Sequence, residues 1–264
     1  MTKSKVYPTD LNHKEWEELR GIFPTTNTTG RPREHSWRSI LNGIFYIVRS
    51  GCAWSLLPHE YPPYKTVYHY FRVWRKNGFW EELNTKLRER LRKKIKGKVK
   101  KHPSAAIIDS QSVKTVEGGK AIGYDGNKKV HGRKRHMLVD TLGLLLVVLV
   151  TAANVDDRAG AKRLFTTIKS LSWKRMKLVW ADGGYQGDLL TWLKTPLGWL
   201  LAIVHKQSDQ VGFEVLPKRW MVERAFAWLN RYRRLSKDYE PLPQSSEAFI
   251  YMAMIRLMLK KLAS

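Results

Sequence analysis

The stretch RHMLVDTLGLLLVVLVTAANVDD, residues 135–157, decides the fold. Two apolar runs rich in Leu and Val flank a polar, glycine-containing break at Asp140–Gly143. Short apolar runs separated by a turn signal read as two β-strands joined by a tight turn. The longer run, LGLLLVVLVTAA, falls well short of the ~20 residues that a bilayer-spanning helix needs. Upstream, AAIIDSQSVK (105–114) reads as a strand whose apolar part ends in an aspartate. Downstream, DDRAGAKRLFTTIKSL reads as a helix capped by Asp156 or Asp157, and MKLVWADGGYQG as a strand ending in an aspartate and glycines. DLLTWLKTP is a short helix, GWLLAIVHK a further strand, and RWMVERAFAWLNRYRRLSKDYE (219–240) a long helix before the closing SSEAFIYMAMIRLMLKKLAS. Three meandering strands followed by alternating helices and strands give an α/β fold, a mixed sheet flanked by helices.

The first 91 residues read differently. Leu11, Trp16 and Leu19 follow a possible N-cap at Thr9 or Asp10. Ile40, Ile44, Ile47 and Val48 recur at helical spacing, and TVYHYFRVWRKNGFWEELNTKLRERL resumes a helix after the proline-broken SLLPHEYPPYK. The expectation is an all-α, helix-turn-helix-like domain over 1–91, a basic linker over 92–104 and an α/β domain over 105–264.

The charge is strongly one-sided. There are 48 Lys and Arg against 23 Asp and Glu, a formal net charge of +25. A chain this basic repels itself unless a polyanion is near, and nucleic acid is the first candidate. Cys52 is the only cysteine, which excludes an internal disulfide and a cysteine-rich zinc site. With no apolar signal-peptide core at the N-terminus, the chain reads as cytoplasmic, with no membrane partner.

Against that basic background a few acids stand out. Asp109, Asp140 and Asp182 directly follow apolar strands. A carboxylate there is costly unless compensated, by a hydrogen bond to the next turn or by a cation. The second strand must run antiparallel to the first, which sends Asp140 to the opposite edge of the sheet. A strand reached through a crossover helix can run parallel to the first and set Asp182 beside Asp109. On the 219–240 helix, Met221, Ala225, Trp228, Tyr232 and Leu235 form one stripe, and Arg219, Glu223, Ala227, Asn230 and Arg234 the other. Glu223 is either a surface partner of Arg219 or a third carboxylate laid across the strand ends. Three converging carboxylates are stable together when they share hard cations such as Mg²⁺ or Mn²⁺. A pair of such ions serves phosphodiester chemistry.

These segments carry a resemblance. SGCAWSLLPHEYPPYKTVYHYFRVWRKNGFWEEL, IIDSQSVK, HGRKRHMLVDTLGLLLVVLVTAANVDDRAGA, VWADGGYQG and RWMVERAFAWLNRYRRLSKDYE, in this order, resemble the DDE insertion-sequence transposases, of the IS-four superfamily and its IS-five branch. The resemblance implies an RNase H-like domain with Asp109, Asp182 and Glu223 as the metal-binding catalytic triad, two Mg²⁺ or Mn²⁺ ions, and DNA as substrate. It implies hydrolysis at the element's ends and attack of the freed 3′-OH on target DNA. Synapsis of two ends implies at least a homodimer in the complex, and the location implied is the bacterial nucleoid. The signature around the glutamate is matched at Arg219 and Glu223; Leu216 replaces the expected tyrosine and Asn230 the expected lysine.

The basic loop NKKVHGRKRH (127–136) supplies Lys128, Lys129, Arg133, Lys134 and Arg135 as expected DNA-phosphate contacts. His131 and His136 read as phosphate or structural contacts, since hard cations favour oxygen. Gly183 and Gly184 are expected to permit close backbone approach, or simply to form a turn. Arg219, Arg231, Arg233 and Arg234 are expected to meet DNA, and Trp220 to stack on an unpaired base. Two other readings stay open: a DNA-binding regulator without catalysis, and a nuclease that cuts without joining.

Overall fold

The computed structural model describes residues 7–23, 33–97, 101–116, 118–168, 173, 175–204 and 219–264. Four helices come first: α1 (His13–Arg20), α2 (Trp37–Ser50), α3 (Tyr64–Lys76) and α4 (Phe79–Lys96). The strands are β1 (Ala105–Lys114), β2 (Gly123–Asp125), β3 (Val130–Asp140), β4 (Leu145–Ala152), β5 (Leu178–Ala181) and β6 (Leu200–Ile203). Between and after them lie α5 (Asp157–Thr166), α6 (Leu189–Leu197), α7 (Trp220–Leu229) and α8 (Pro243–Ala263). The expected order of strands and helices is present, with the short β2 added. No helix among the described residues is long and apolar enough to cross a membrane.

β3 pairs antiparallel with β1 on one side and with β2 and β4 on the other. β1 pairs parallel with β5, and β5 with β6. Because side chains alternate across a strand, the sheet feeds two cores. Ile107, Met137, Val139 and Val148 join the first four helices, α7 and α8. Ala106, Ile108, Leu138 and Leu146 join α5, α6 and the inner residues of β5. α8 is buried almost all round, from Phe249 to Leu259, because it lies between the sheet and the first four helices. A helix apolar on every side is stable only in such a place.

Local differences from the sequence reading have local causes. Asn12, not Thr9 or Asp10, caps α1, in a reciprocal box with Glu15. Asp10 is buried and accepts from the Tyr61 hydroxyl at 2.7 Å. The expected basic aromatic helix breaks into α3 and α4 at Asn77–Gly78, where Gly78 has φ 76°. α4 then runs on to Lys96, past the expected boundary at 91. Arg92 is buried there, 2.5 Å from Asp140, so the stretch 92–96 is helix rather than linker. The long helix expected over 219–240 stops at Leu229, and a single 3₁₀ turn follows at Arg233–Leu235. Buried arginines capture the carbonyls beyond it: Arg135 donates to Leu235 and Lys237, Arg133 to Glu240 and Pro241. Those bonds hold the segment on a path of turns that a continuing helix could not follow.

Candidate active site

Asp109 is not at a strand end. The apolar half of β1 stops there, but the strand continues to Lys114 because β3 pairs with it along its whole polar half. β5 does stop, at Ala181. The parallel register Ile107↔Trp180, carried two residues on, sets Asp109 level with Asp182. Alternation places Asp109 on the Ile107 face, toward α7.

The two carboxylates are held differently. Asp109 Oδ1 accepts the Ser110 amide at 2.7 Å. Burial pushes its carboxyl up to about 6; the nearby Asp182 charge adds to this, while the Ser110 amide, Arg219 and Lys128 oppose it. Asp182 caps the short turn Gly183–Tyr185, accepting the Gly184 amide at 2.9 Å. A side chain at Gly184 would crowd Asp182 Oδ1 at 3.1 Å, whereas the space beside Gly183 is open. Of the two glycines, then, only Gly184 serves close approach.

Glu223 lies in the first turn of α7 and its side chain is 54% exposed. Arg219 connects it to the strands: Arg219 Nη2 is 3.5 Å from Asp182 Oδ2 and 3.8 Å from Glu223 Oε1. The surface-pair reading of Glu223 is therefore real, and the same arginine ties the glutamate to the strand-end acid. Among the described residues no three acidic, His or Cys side chains already stand close enough to hold a metal ion. Asp140 lies away from this site: it pairs with Arg92 and accepts the Leu142 and Leu144 amides, closing the β3–β4 turn.

Several expected DNA contacts are internal. Arg133 and Arg135 are fully buried and Lys134 nearly so. β3 is a central strand covered on both faces, so alternation sends the three basic residues inward on opposite sides. Arg133 pairs with Asp238 at 3.0 Å, and Lys134 with Asp125 and Asp157 at 3.4 and 3.3 Å. Arg234 pairs with Glu240 at 2.7 Å and lies over Phe249. His136 is buried with Nε2 3.0 Å from Thr151 Oγ1, a structural contact, while His131 is exposed. Lys128, Lys129, Arg231 and Arg233 are exposed, and Lys128 reaches the Ser110 carbonyl at 3.3 Å, next to Asp109. Trp220 is 38% exposed, with the Arg224 guanidinium over its ring at 4.4 Å. Asn230 is exposed at the end of α7; Leu216 lies outside the described residues.

Sequence reading missed the layer behind Asp109. Asp156 caps α5, which leaves the Asp157 carboxylate free to accept from Ser110 Oγ at 2.6 Å and to pair with Lys134. The doublet Asp156–Asp157 is the signal: one residue suffices as cap. Asp125, from a polar stretch of the sequence, is buried as well, accepting from Ser112 and pairing with Lys134. Tyr185 is buried nearby, and burial followed by the charges of Asp109, Asp157 and Asp182 drives its hydroxyl well above the ordinary value.

Residues 100–258 match the family model "Transposase DDE domain". The chain belongs to this family. The paired strands of this DDE domain are its RNase H-like sheet, and the first four helices precede it as an all-α region. Residues 11–84 match a second model, "Putative transposase of IS4/5 family". The DDE-domain chain is also 29% identical over 125 residues to "Putative transposase for insertion sequence element IS402" of Burkholderia cepacia. That match covers 45% of this chain and 59% of the relative, so the chain aligns with less than two thirds of the relative's length.

Proposed function

We propose that this chain is a transposase that binds the ends of an insertion sequence, cleaves them and joins the freed 3′-OH ends to target DNA. The observation that carries the reading is Arg219 holding Glu223 of α7 beside Asp182, with Asp109 on the neighbouring strand. The three carboxylates themselves offer oxygen ligands alone. That donor set fits Mg²⁺ or Mn²⁺. Asp109, Asp182 and Glu223 would hold two such ions, with Glu223 moving from Arg219 toward the aspartates. Bound there, the ions would activate the attacking oxygen and stabilise the leaving one.

The chain's own residues do the rest. Lys128 and Lys129 sit at the rim, where they meet phosphates and offset the carboxylates. Arg219, released from Glu223, faces the incoming strand, and Trp220 offers a half-exposed ring beside it. In the first step water oxygen attacks phosphorus and the 3′-oxygen leaves, taking a proton. In the second that 3′-OH attacks a target phosphodiester and displaces the target's own 3′-oxygen. The number of phosphodiester bonds is conserved in the joining step, so no energy source is needed.

The two family matches fall on the helical region and on the α/β region, and our reading gives each its own task. The helical region grips DNA and residues 105–264 cut and join. Two ends must be held at once, so two or more copies act in the complex.

The test is cleavage and joining on DNA from the gene's own flanks. Cut and joined products support the proposal. Cut products alone point to a nuclease, and tight binding without any cut to a regulator.

A further inference from the structure

The paired register of β1 and β5 runs from Ala105↔Leu178 to Ile107↔Trp180 and stops two residues short of Asp109 and Asp182. Like charges set side by side repel. Something past the end of that ladder must fix their spacing.

The first turn of α5 spans the gap. Asp156 takes the cap, accepting the Ala159 amide at 2.9 Å, and leaves Asp157 to reach the sheet. Asp157 Oδ1 accepts from Ser110 Oγ at 2.6 Å. Alternation puts the Ser110 side chain on the α5 side of the sheet, opposite to Asp109. On the β5 side, a carbon added at Gly184 would lie 3.7 Å from Asp157 Oδ2 and 3.1 Å from Asp182 Oδ1. The two carboxylates thus flank one backbone position. Next along α5, the Arg158 guanidinium donates to the Gln186 carbonyl at 3.4 Å, on the segment after Asp182. Adjacent residues of one helix therefore meet both acid-bearing segments.

Asp157 is itself clamped. Lys134 is buried on β3, with Nζ 3.3 Å from Asp157 Oδ1 and 3.4 Å from Asp125 Oδ2, and its charge offsets theirs. A hydroxyl donating to a carboxylate makes a bond about twice as strong as a neutral one. Ser110 also supplies the amide that Asp109 Oδ1 accepts at 2.7 Å. Holding the Ser110 side chain from behind therefore holds the peptide that orients Asp109 in front.

We infer that Asp157 is a positioning residue for the paired aspartates. Through Ser110 and the Gly183–Tyr185 turn it sets where Asp109 and Asp182 present their free oxygens to a divalent cation, without touching that cation. The inference rests on the proposed function in taking Asp109 and Asp182 as cation ligands.

The test titrates Mn²⁺ into the full chain, reading free Mn²⁺ by electron paramagnetic resonance. Cleavage of flank-derived DNA is followed in parallel against Mn²⁺ concentration. Ser110→Ala removes the link and keeps every charge, and Asp157→Ala removes it from the other end. Asp157→Asn keeps an oxygen for Ser110 Oγ and drops the charge. Hydrogen-bond partners of metal ligands are worth about 10–100-fold in metal affinity or activity. Each Ala variant should weaken Mn²⁺ binding by about tenfold or more. The double variant should lose no more than either alone, because both cut one link, and Asp157→Asn should lose less. The Mn²⁺ needed for half-maximal cleavage should rise in step, with DNA affinity unchanged. A merely structural role would instead lower the number of binding sites at unchanged affinity, and that result overturns the inference. Equal loss in Asp157→Asn and Asp157→Ala beside an unchanged Ser110→Ala also overturns it, since charge rather than the link would be the cause. If Asp157→Ala fails to fold, Ser110→Ala and Asp157→Asn decide alone. Wild type that binds Mn²⁺ yet never cuts defeats the transposase reading, while the affinity comparison still decides the role of Asp157. Wild type that binds no Mn²⁺ overturns both.

Discussion

Arg219 Nη2 stands 3.5 Å from Asp182 Oδ2, joining the start of α7 to the end of β5. The contact makes the largely buried Arg219 part of the acidic site, since the same nitrogen reaches Glu223 at 3.8 Å. Arg219→Gln removes this link. Partly exposed ion pairs contribute about 0–1 kcal/mol, so the melting midpoint should barely move. Cleavage should fall by at least about tenfold, equivalent to ~1.4 kcal/mol on the barrier. Unchanged cleavage per folded molecule would show the link to be ornamental.

Asp140 is the control acid. It pairs with buried Arg92 and accepts two turn amides, and it takes no part in the proposed chemistry. Asp140→Asn takes the carboxylate away from the buried Arg92 guanidinium, which keeps its bond to the Lys101 carbonyl, and costs about 3–5 kcal/mol. Denaturant melts should show that loss, while the folded fraction keeps its cleavage rate. A stable Asp140→Asn protein would mean that the pair is solvated.

Asp109 gives a pH signature in metal-free protein. Burial raises its carboxyl well above the ordinary aspartate value, to about 6. A raised acid favours the folded state while protonated, so that contribution is complete below the unfolded pKa and lost as pH rises through about 6. Asp109→Asn stays neutral throughout. With EDTA present, the variant should therefore melt above wild type at pH 7, with the gap closing toward pH 4. A constant gap across that range would refute the burial argument. Divalent-cation affinity of wild type should rise with pH over the same window.

Gly160 packs against the buried His136 ring, and a methyl group added there would overlap the imidazole. On an exposed helix Gly→Ala stabilises by about 1 kcal/mol. Here the sign should reverse, since overpacking costs about 1–3 kcal/mol. Thermal melting of Gly160→Ala should show a lower midpoint, and adding His136→Ala should recover part of it. A raised midpoint would mean that α5 simply shifts away.

Much of the fold was legible because it rests on local patterns. The 135–157 hairpin, the helix after Asp156 and the strand ending at Asp182 all follow from alternation, turn residues and capping. Alternation also should have warned that Arg133, Lys134 and Arg135 point to opposite faces of a central strand. Composition suggested a basic loop, but pairing with Asp238, Asp125 and Asp157 comes from segments far along the chain. The end of α7 was hidden for the same reason: buried arginines on β3 decide it. Glu223 could be placed on the polar stripe, yet only the tertiary contact through Arg219 relates that stripe to Asp182.

The most direct test compares wild type with Glu223→Gln on DNA from the gene's flanks, in Mg²⁺, in Mn²⁺ and in EDTA, scoring binding, cleavage and joining. The account predicts equal binding by both proteins, with metal-dependent cleavage and joining by wild type alone. Equal cleavage by both would contradict it and leave Glu223 as no more than the surface partner of Arg219.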